Sequence, residues 1–242
     1  MKKRKNILKI AIDSPAAAGA GTVAKTISEH YNLFYLDTGK IYRYIAYLKI
    51  KYPKKFKKNF LELKIKTLNL KKLSNKKLLS DEIGTEASII SKKKTIRKMV
   101  HAVQTNFAYN PPNKYRGSCL DGRDITYKIV PDANIKFYIT ANLKTRALRR
   151  FKELKNLKKN ISFNEVLKSI KKRDKNDLNR KVSPLKKTKD SLLINTTNLT
   201  KRACFLKIKK IIDKKIKING NISRSFKPSL KRIRKTTKQP TL

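Results

Sequence analysis

The chain has 242 residues, of which 63 are Lys or Arg and 16 are Asp or Glu, a formal net charge of +47. That length suits one domain with room for an inserted subdomain. Such charge would suggest a disordered or nucleic-acid-coating chain, but Ile, Leu, Val and Phe make up 66 of the 242 residues, above the roughly 20% floor below which high charge reads as disorder. The basic residues are 49 Lys and 14 Arg, spread along the chain. They reflect either a compositional bias of the proteome toward Lys and Ile or a selected polyanion surface. No run of 18 apolar residues exists, so no membrane span is expected. The basic start, residues 1–5, leads into an apolar run that Asp13 breaks too early for a secretion-signal core. Cys119 and Cys204 lie far apart without a CxxC, which excludes a disulfide framework or zinc site and makes a reduced, cytoplasmic compartment the expectation. His30 and His101 have no ligand spacing and read as structural.

In chain order, strand-length apolar runs fall at 7–12, 32–36, 118–120, 135–139 and 192–194. They are continuous rather than alternating, as in strands covered on both faces. Helical spacing marks 22–31, 95–109 and 143–157 between them. Strand–helix alternation predicts an α/β fold with a parallel sheet. Two segments interrupt the rhythm. Residues 44–95 are Lys- and Leu-rich, helical in pattern, and read as an insertion over one sheet edge; residues 158–190 are charged and helical. Residues 1–218 read as one domain. The tail, 219–242, has seven Lys/Arg and no acid, and is expected to be disordered.

After the first strand comes Asp13-Ser14-Pro15-Ala16-Ala17-Ala18-Gly19-Ala20-Gly21-Thr22, then a helix. A small-residue turn between a buried strand and a helix N-terminus presents backbone N–H groups and partial positive charge to a polyphosphate. Small side chains let phosphate oxygens approach, and Gly19 and Gly21 accept conformations that a Cβ disfavours. Thr22 would offer a hydroxyl to Mg²⁺, as the Ser/Thr of a P-loop does. The loop departs from the P-loop formula twice: Ser14 stands where Gly is usual, and Ala20 stands at the phosphate-binding lysine. Alone, it could equally be a tight packing turn.

Arginine, scarce here, is the residue that grips carboxylate or phosphate with a planar fork. Several fall at element edges beside Asp or Gly: Leu36-Asp-Thr-Gly-Lys-Ile-Tyr-Arg43, Leu120-Asp-Gly-Arg-Asp-Ile125, and Arg173-Asp-Lys-Asn-Asp-Leu-Asn-Arg180. In the last, Arg173, Asp177 and Arg180 share one helical face. Strand C-terminal ends are where open α/β sheets bind ligands. Three such clusters point to a site for an anionic, hydrogen-bonding substrate rather than to surface ion pairs.

Together these runs, with Pro131-Asp132-Ala133, Arg146, Arg149-Arg150 and Val182-Ser-Pro-Leu185, resemble bacterial cytidylate kinases over about residues 7–212. The resemblance implies a five-stranded parallel sheet flanked by helices, a helical NMP-binding insertion at about 44–97 and a short lid at about 158–185. It implies transfer of the γ-phosphoryl of ATP to CMP or dCMP, with Mg²⁺. Carried over by position, residues 14–22 would hold ATP. Thr38, Arg43, Ser88, Arg97, Arg123, Asp124, Arg173, Asp177 and Arg180 would hold the acceptor, Asp177 and Arg173 reading the cytosine edge or the sugar. Arg123, Arg149 and Arg150, with Arg146, would close on the transferring group. Only 54 positions separate Arg43 from Arg97, which implies that a small β-rich piece of the insertion is missing. The expected partners are these nucleotides alone, for a monomer without membrane contact, with nucleic acid reachable only through the basic tail. The alternatives are another acceptor, such as UMP, or a catalytically impaired homologue. At Ala20 a missing donor would slow transfer about 10²- to 10³-fold. Lys25 or a lid arginine could replace it, the enzyme could be slow but sufficient, or the chain could be inactive.

Overall fold

The computed structural model describes residues 7–156 and 160–218. Five strands carry the fold: β1 (Leu8–Asp13), β2 (Phe34–Asp37), β3 (Gly117–Gly122), β4 (Ile135–Thr140) and β5 (Leu192–Asn195). All pair in parallel, in the order β2-β3-β1-β4-β5. The expected five-stranded α/β architecture is present. Because β1 is flanked by β3 on one side and β4 on the other, its C-terminal end opens into the crevice of a topological switch point. The loop that begins at Ser14 leaves the sheet there.

The helices follow from apolar spacing. In α1 (Ala20–Tyr31), Val23, Ala24, Ile27 and Tyr31 share the buried face, and Asn32 ends the helix in the left-handed region at φ +53°. With α9 (Lys201–Ile218), which turns Cys204, Ile208, Ile212 and Ile216 inward, it covers one face of the sheet around Ile10, Ile12 and Phe137. The other face packs on α2 (Gly39–Lys51) and α6 (Lys94–Tyr109). Between those two helices lie α3 (Lys58–Lys66), α4 (Leu70–Leu73) and α5 (Asp81–Ile90). The inserted segment is therefore helical, with no strand among its described residues. Its Leu61, Ile65, Leu78, Ile83 and Ile90 join the same core as Ile41, Ile45 and Leu48 of α2.

Beyond β4, α7 (Leu143–Asn156) and α8 (Phe163–Asn179) pack on each other through Ala147, Leu154, Val166 and Ile170. A capping box, Ser162 with Glu165, starts α8. Residues 157–159 and the tail 219–242 lie outside the described residues, so part of the expected lid and all of the basic tail do too. The strand that departs furthest from the expected two-sided cover is β5. Only Ile194 is buried, and Leu193 is 54% exposed, because β5 closes the sheet as an edge. Among the described residues no helix is long and apolar enough to cross a membrane.

Candidate active site

The loop from Ser14 to Gly19 is built as an anion cradle. Gly19 sits at φ +90° and Ala17 at φ +58°. Left-handed residues in such a turn make successive N–H groups converge. The loop's carbonyls are drawn off behind it. Arg146 Nη1 donates to the Ala16 oxygen at 3.1 Å. Arg149 Nη1 and the Thr196 hydroxyl donate to the Ala18 oxygen at 3.3 and 2.9 Å. Among the described residues, the backbone N–H groups of Gly19, Ala20, Gly21 and Thr22 donate to no protein acceptor. They are the unpaired donors of a helix N-terminus.

Across β3 from the loop stand two carboxylates the sequence reading quoted without giving them a role. Asp37 and Asp121 are register partners at the ends of β2 and β3. Burial pushes the Asp121 carboxyl up, and the charge of Asp37 pushes it further; Tyr35, Arg123 and Lys40 oppose this. Its Oδ1 is buried with no hydrogen-bond partner among the described residues. A Cβ on Gly21 would lie 3.6 Å from its other oxygen, so the acid sits directly against the loop. An orphaned carboxylate oxygen beside a second acid fits Mg²⁺, a hard cation that takes one or two carboxylates and completes its shell with water and phosphate. Among the described residues no group of three or more His, Cys, Asp or Glu could form an all-protein cage. Directly after the lysine position, where the P-loop formula puts its Ser or Thr, stands Gly21. Thr22 follows one step along α1, exposed at the cavity edge.

Asp13, at the end of β1, organises the neighbouring turn. Its carboxylate accepts from the Ile125 N–H at 2.8 Å, the Thr126 N–H at 2.9 Å and the Thr126 hydroxyl at 2.6 Å. Residues Ile125–Ile129 form one wide helical turn, with the Val130 N–H donating to the Ile125 oxygen at 2.8 Å. This fixes Arg123 and Asp124 at its start. Gly122 is obligatory: a Cβ there would come within 2.5 Å of the Thr38 hydroxyl oxygen. That hydroxyl in turn donates to the Asp121 carbonyl at 2.7 Å, so Thr38 holds β2 to β3 as well as lining the cavity.

The arginines converge on the far side of a cavity of about 950 Å³. Arg97 on α6 donates through Nε to the Ser91 oxygen at 2.6 Å and pairs through Nη1 with Asp124 Oδ2 at 3.0 Å. Both side chains are under 10% exposed, and the Tyr42 ring lies 5.6 Å from the guanidinium. Arg123 Nε donates to Asp177 Oδ2 at 2.8 Å, and Arg180 Nη1 lies 3.5 Å from Asp177 Oδ1. Burial works to raise the Asp177 carboxyl, and Arg123, Arg173 and Arg180 outweigh it, holding it below the usual carboxylate range. Arg43 donates to the Leu78 and Ser80 carbonyls at 2.8 and 3.2 Å. Burial lowers the Arg173 guanidinium to about 10, with Arg123, Arg43 and Arg150 adding repulsion. Burial also lowers Arg180, whose Nη2 is buried without a partner among the described residues. Guanidiniums thus outnumber the carboxylates between them. The cluster is complementary to an anion.

The predicted site residues line this one cavity except Ala16, which is buried behind the loop, and Arg146. Ser88 reaches it from α5. Arg149 and Arg150 border it from α7, whereas Arg146 does not: it is buried, paired with Asp174 at 2.6 Å and tied to the loop carbonyl. Lys25 does not border it either. It points outward, 68% exposed, 3.9 Å from Glu29. Lys40 does line the cavity, and the sequence reading passed over it.

The chain matches the family model described as "Cytidylate kinase" over residues 10–214. It belongs to the cytidylate kinase family. A cytidylate kinase of Bartonella tribocorum is 43% identical over 216 residues, covering 87% of this chain and 96% of that protein. One from Mesomycoplasma hyopneumoniae strain 7448 is 37% identical over 222 residues, covering 86% and 95%. One from Thermosipho melanesiensis is 37% identical over 220 residues, covering 87% and 99%. Among solved structures, an uncharacterized protein from Eubacterium ventriosum ATCC 27560 shares the fold at a TM-score of 0.50 and 17% identity, covering 85% of this cytidylate kinase family member and 98% of that chain.

Proposed function

We propose that this chain transfers the γ-phosphoryl group of ATP to CMP or dCMP, giving ADP and (d)CDP. The observation that carries the reading is one cavity with a backbone N–H cradle at one end and a guanidinium cluster at the other. Membership of the cytidylate kinase family, with near full-length relatives of that name, supports it.

Phosphoryl transfer needs positioning and charge neutralisation more than covalent chemistry. The N–H groups of residues 16–22 hold the donor phosphates, in a loop that begins at Ser14 and Pro15. Asp37, Asp121 and the Thr22 hydroxyl would hold Mg²⁺. When bound, Mg²⁺ supplies charge neutralisation on the donor's phosphate oxygens. Arg123, Arg149 and Arg150 stabilise charge on the transferring group. Arg43, Arg123 and Arg173 grip the acceptor phosphate as two-pronged donors. Arg97 and Asp124, buried beside Tyr42, offer a donor and an acceptor to a cytosine edge, which carries an exocyclic amine that uracil lacks. Ser88 and Thr38 complete that wall. Asp177, with both oxygens turned to arginines, serves the sugar side with Arg180. The packed pair α7–α8 excludes water, which protects ATP from hydrolysis.

A coupled ADP-release assay with ATP and Mg²⁺ over CMP, dCMP, UMP and AMP tests this. CMP and dCMP should turn over, with UMP and AMP far behind. Turnover of none, or preference for UMP or AMP, overturns it.

A further inference from the structure

The lysine that a phosphate loop ordinarily carries is absent, and Ala20, the buried first residue of α1, occupies its position at the cavity. Of four cations near the loop end, Arg149 and Arg150 border the cavity from α7, on the side of the transferring group, and the other two do not border it. Arg149 is held by the Ala18 carbonyl and by Thr196, to whose hydroxyl and carbonyl it donates at 2.9 and 2.6 Å. Arg150 pairs with Glu153 at 2.9 Å. Arg146 is buried against Asp174, and Lys25 faces solvent.

Lys40 differs from all of these. It is half-buried, borders the same cavity as Gly19 to Thr22, and has no carboxylate partner within salt-bridge distance among the described residues. It is the second residue of α2, whose first turn contains no acid. A lysine there opposes the positive end of the helix dipole. A half-buried ammonium at that end of a helix, outside any ion pair, is available to an anion that enters the cavity. We infer that Lys40 is a catalytic residue, delivering from the start of α2 to the donor's phosphate oxygens the ammonium that the loop lacks at Ala20. Its field reaches the Asp121 carboxylate, which itself lies against Gly21. The charge is thus supplied from the strand β2 side of the cradle instead of from within it. This inference rests on the phosphoryl-transfer reading above and adds to it a residue the loop sequence does not contain.

The test compares wild type with Lys40→Ala, Ala20→Lys and the double variant. Two readouts are used: steady-state kinetics with ATP and CMP, and calorimetric titration with a non-hydrolysable ATP analogue and Mg²⁺. Lys40→Ala should lower kcat/KM for ATP about 10²-fold, in line with loss of one preorganised donor, and weaken the analogue about tenfold. KM for CMP should move less than about threefold, and the melting temperature less than about 2 °C, since Lys40 makes no hydrogen bond or ion pair among the described residues. In the double variant, Ala20→Lys should restore most of the loss that Lys40→Ala causes, the non-additivity expected of two residues serving one role. Should Lys40→Ala fail to fold, Lys40→Gln keeps the stem and removes the charge. Lys40 variants within about threefold of wild type in both readouts overturn the inference, as does a large gain from Ala20→Lys in the wild-type background. If wild type turns over no monophosphate, the activity reading fails by itself, and the analogue's affinity still decides the role of Lys40.

Discussion

Two opposed effects meet at Asp13, and pH separates them. The carboxylate is fully buried, which disfavours its charge, yet it accepts three hydrogen bonds, which favour it. Burial wins and lifts the carboxyl from 3.8 to about 6. The native chain therefore takes up this proton before the unfolded chain does. Stability from this group grows as pH falls through about 6 and levels off below 3.8. Linkage puts the gain between about pH 7.5 and about pH 5 at about 1–2 kcal/mol, or roughly 3–5 °C in melting temperature for a chain of this size. Asp13→Asn removes the titration. At neutral pH the variant also loses ground, because the amide can accept at one atom only and turns its NH₂ toward an N–H of Ile125 or Thr126. Melting wild type and Asp13→Asn in parallel isolates the group, since every other carboxylate is common to both. The gap between them should widen by roughly 3–5 °C from about pH 7.5 to about pH 5. A gap that stays flat or narrows on acidification would refute the reasoning: the three donors would then outweigh burial.

Asp124→Asn should erode discrimination of CMP against UMP by about ten- to a hundredfold, read as the ratio of kcat/KM values, because a buried site polar group is then mismatched. Asp177→Asn should instead raise KM for both acceptors together, and a selective loss of CMP over UMP there would reassign the base reader. Gly19→Ala forces a side chain into a backbone at φ +90°, so a loss of about 1–2 kcal/mol together with a raised KM for ATP is expected; an unchanged KM would count against the cradle. Phe137→Ala empties a fully buried site in β4. It should lower stability by about 3–5 kcal/mol in denaturant titration, with the nucleotide KM values little changed in whatever fraction remains folded.

Much of the fold could be read from Ile7 to Ile12 and its four counterparts, because a continuous apolar run admits few structures when Gly, Pro and Asp bracket it. The insertion's helices were legible for a similar reason, its Leu and Ile recurring at helical spacing. What periodicity cannot show is which strand will be an edge, and so Leu192 and Leu193 looked buried. The site divides in the same way. Arg43, Arg97, Arg123, Arg173 and Arg180 stood out because arginine is scarce in a lysine-rich chain. Lys40 was hidden by that same abundance: one lysine among 49 carries no signal until its neighbours in space are known. Asp37 and Asp121 were visible at strand ends, but their meeting depends on β2 pairing with β3, a partnership local sequence does not state. Arg146 misled, because the resemblance set it beside Arg149 and Arg150 at the transferring group while packing turned it back onto Asp174 and the loop.

On the proposed function, the repulsion that Arg123, Arg43 and Arg150 exert on Arg173 would tie the lifetime of the folded chain to its metabolic supply. Like charges held together by the scaffold are a standing stress, and a nucleotide arriving between them is a counterion before it is a reactant. By mass action an acceptor at about a hundred times its Kd adds ~2.7 kcal/mol to the folded state. A cell rich in monophosphate would therefore preserve this protein, and one that has exhausted it would leave the protein more open to unfolding and proteolysis.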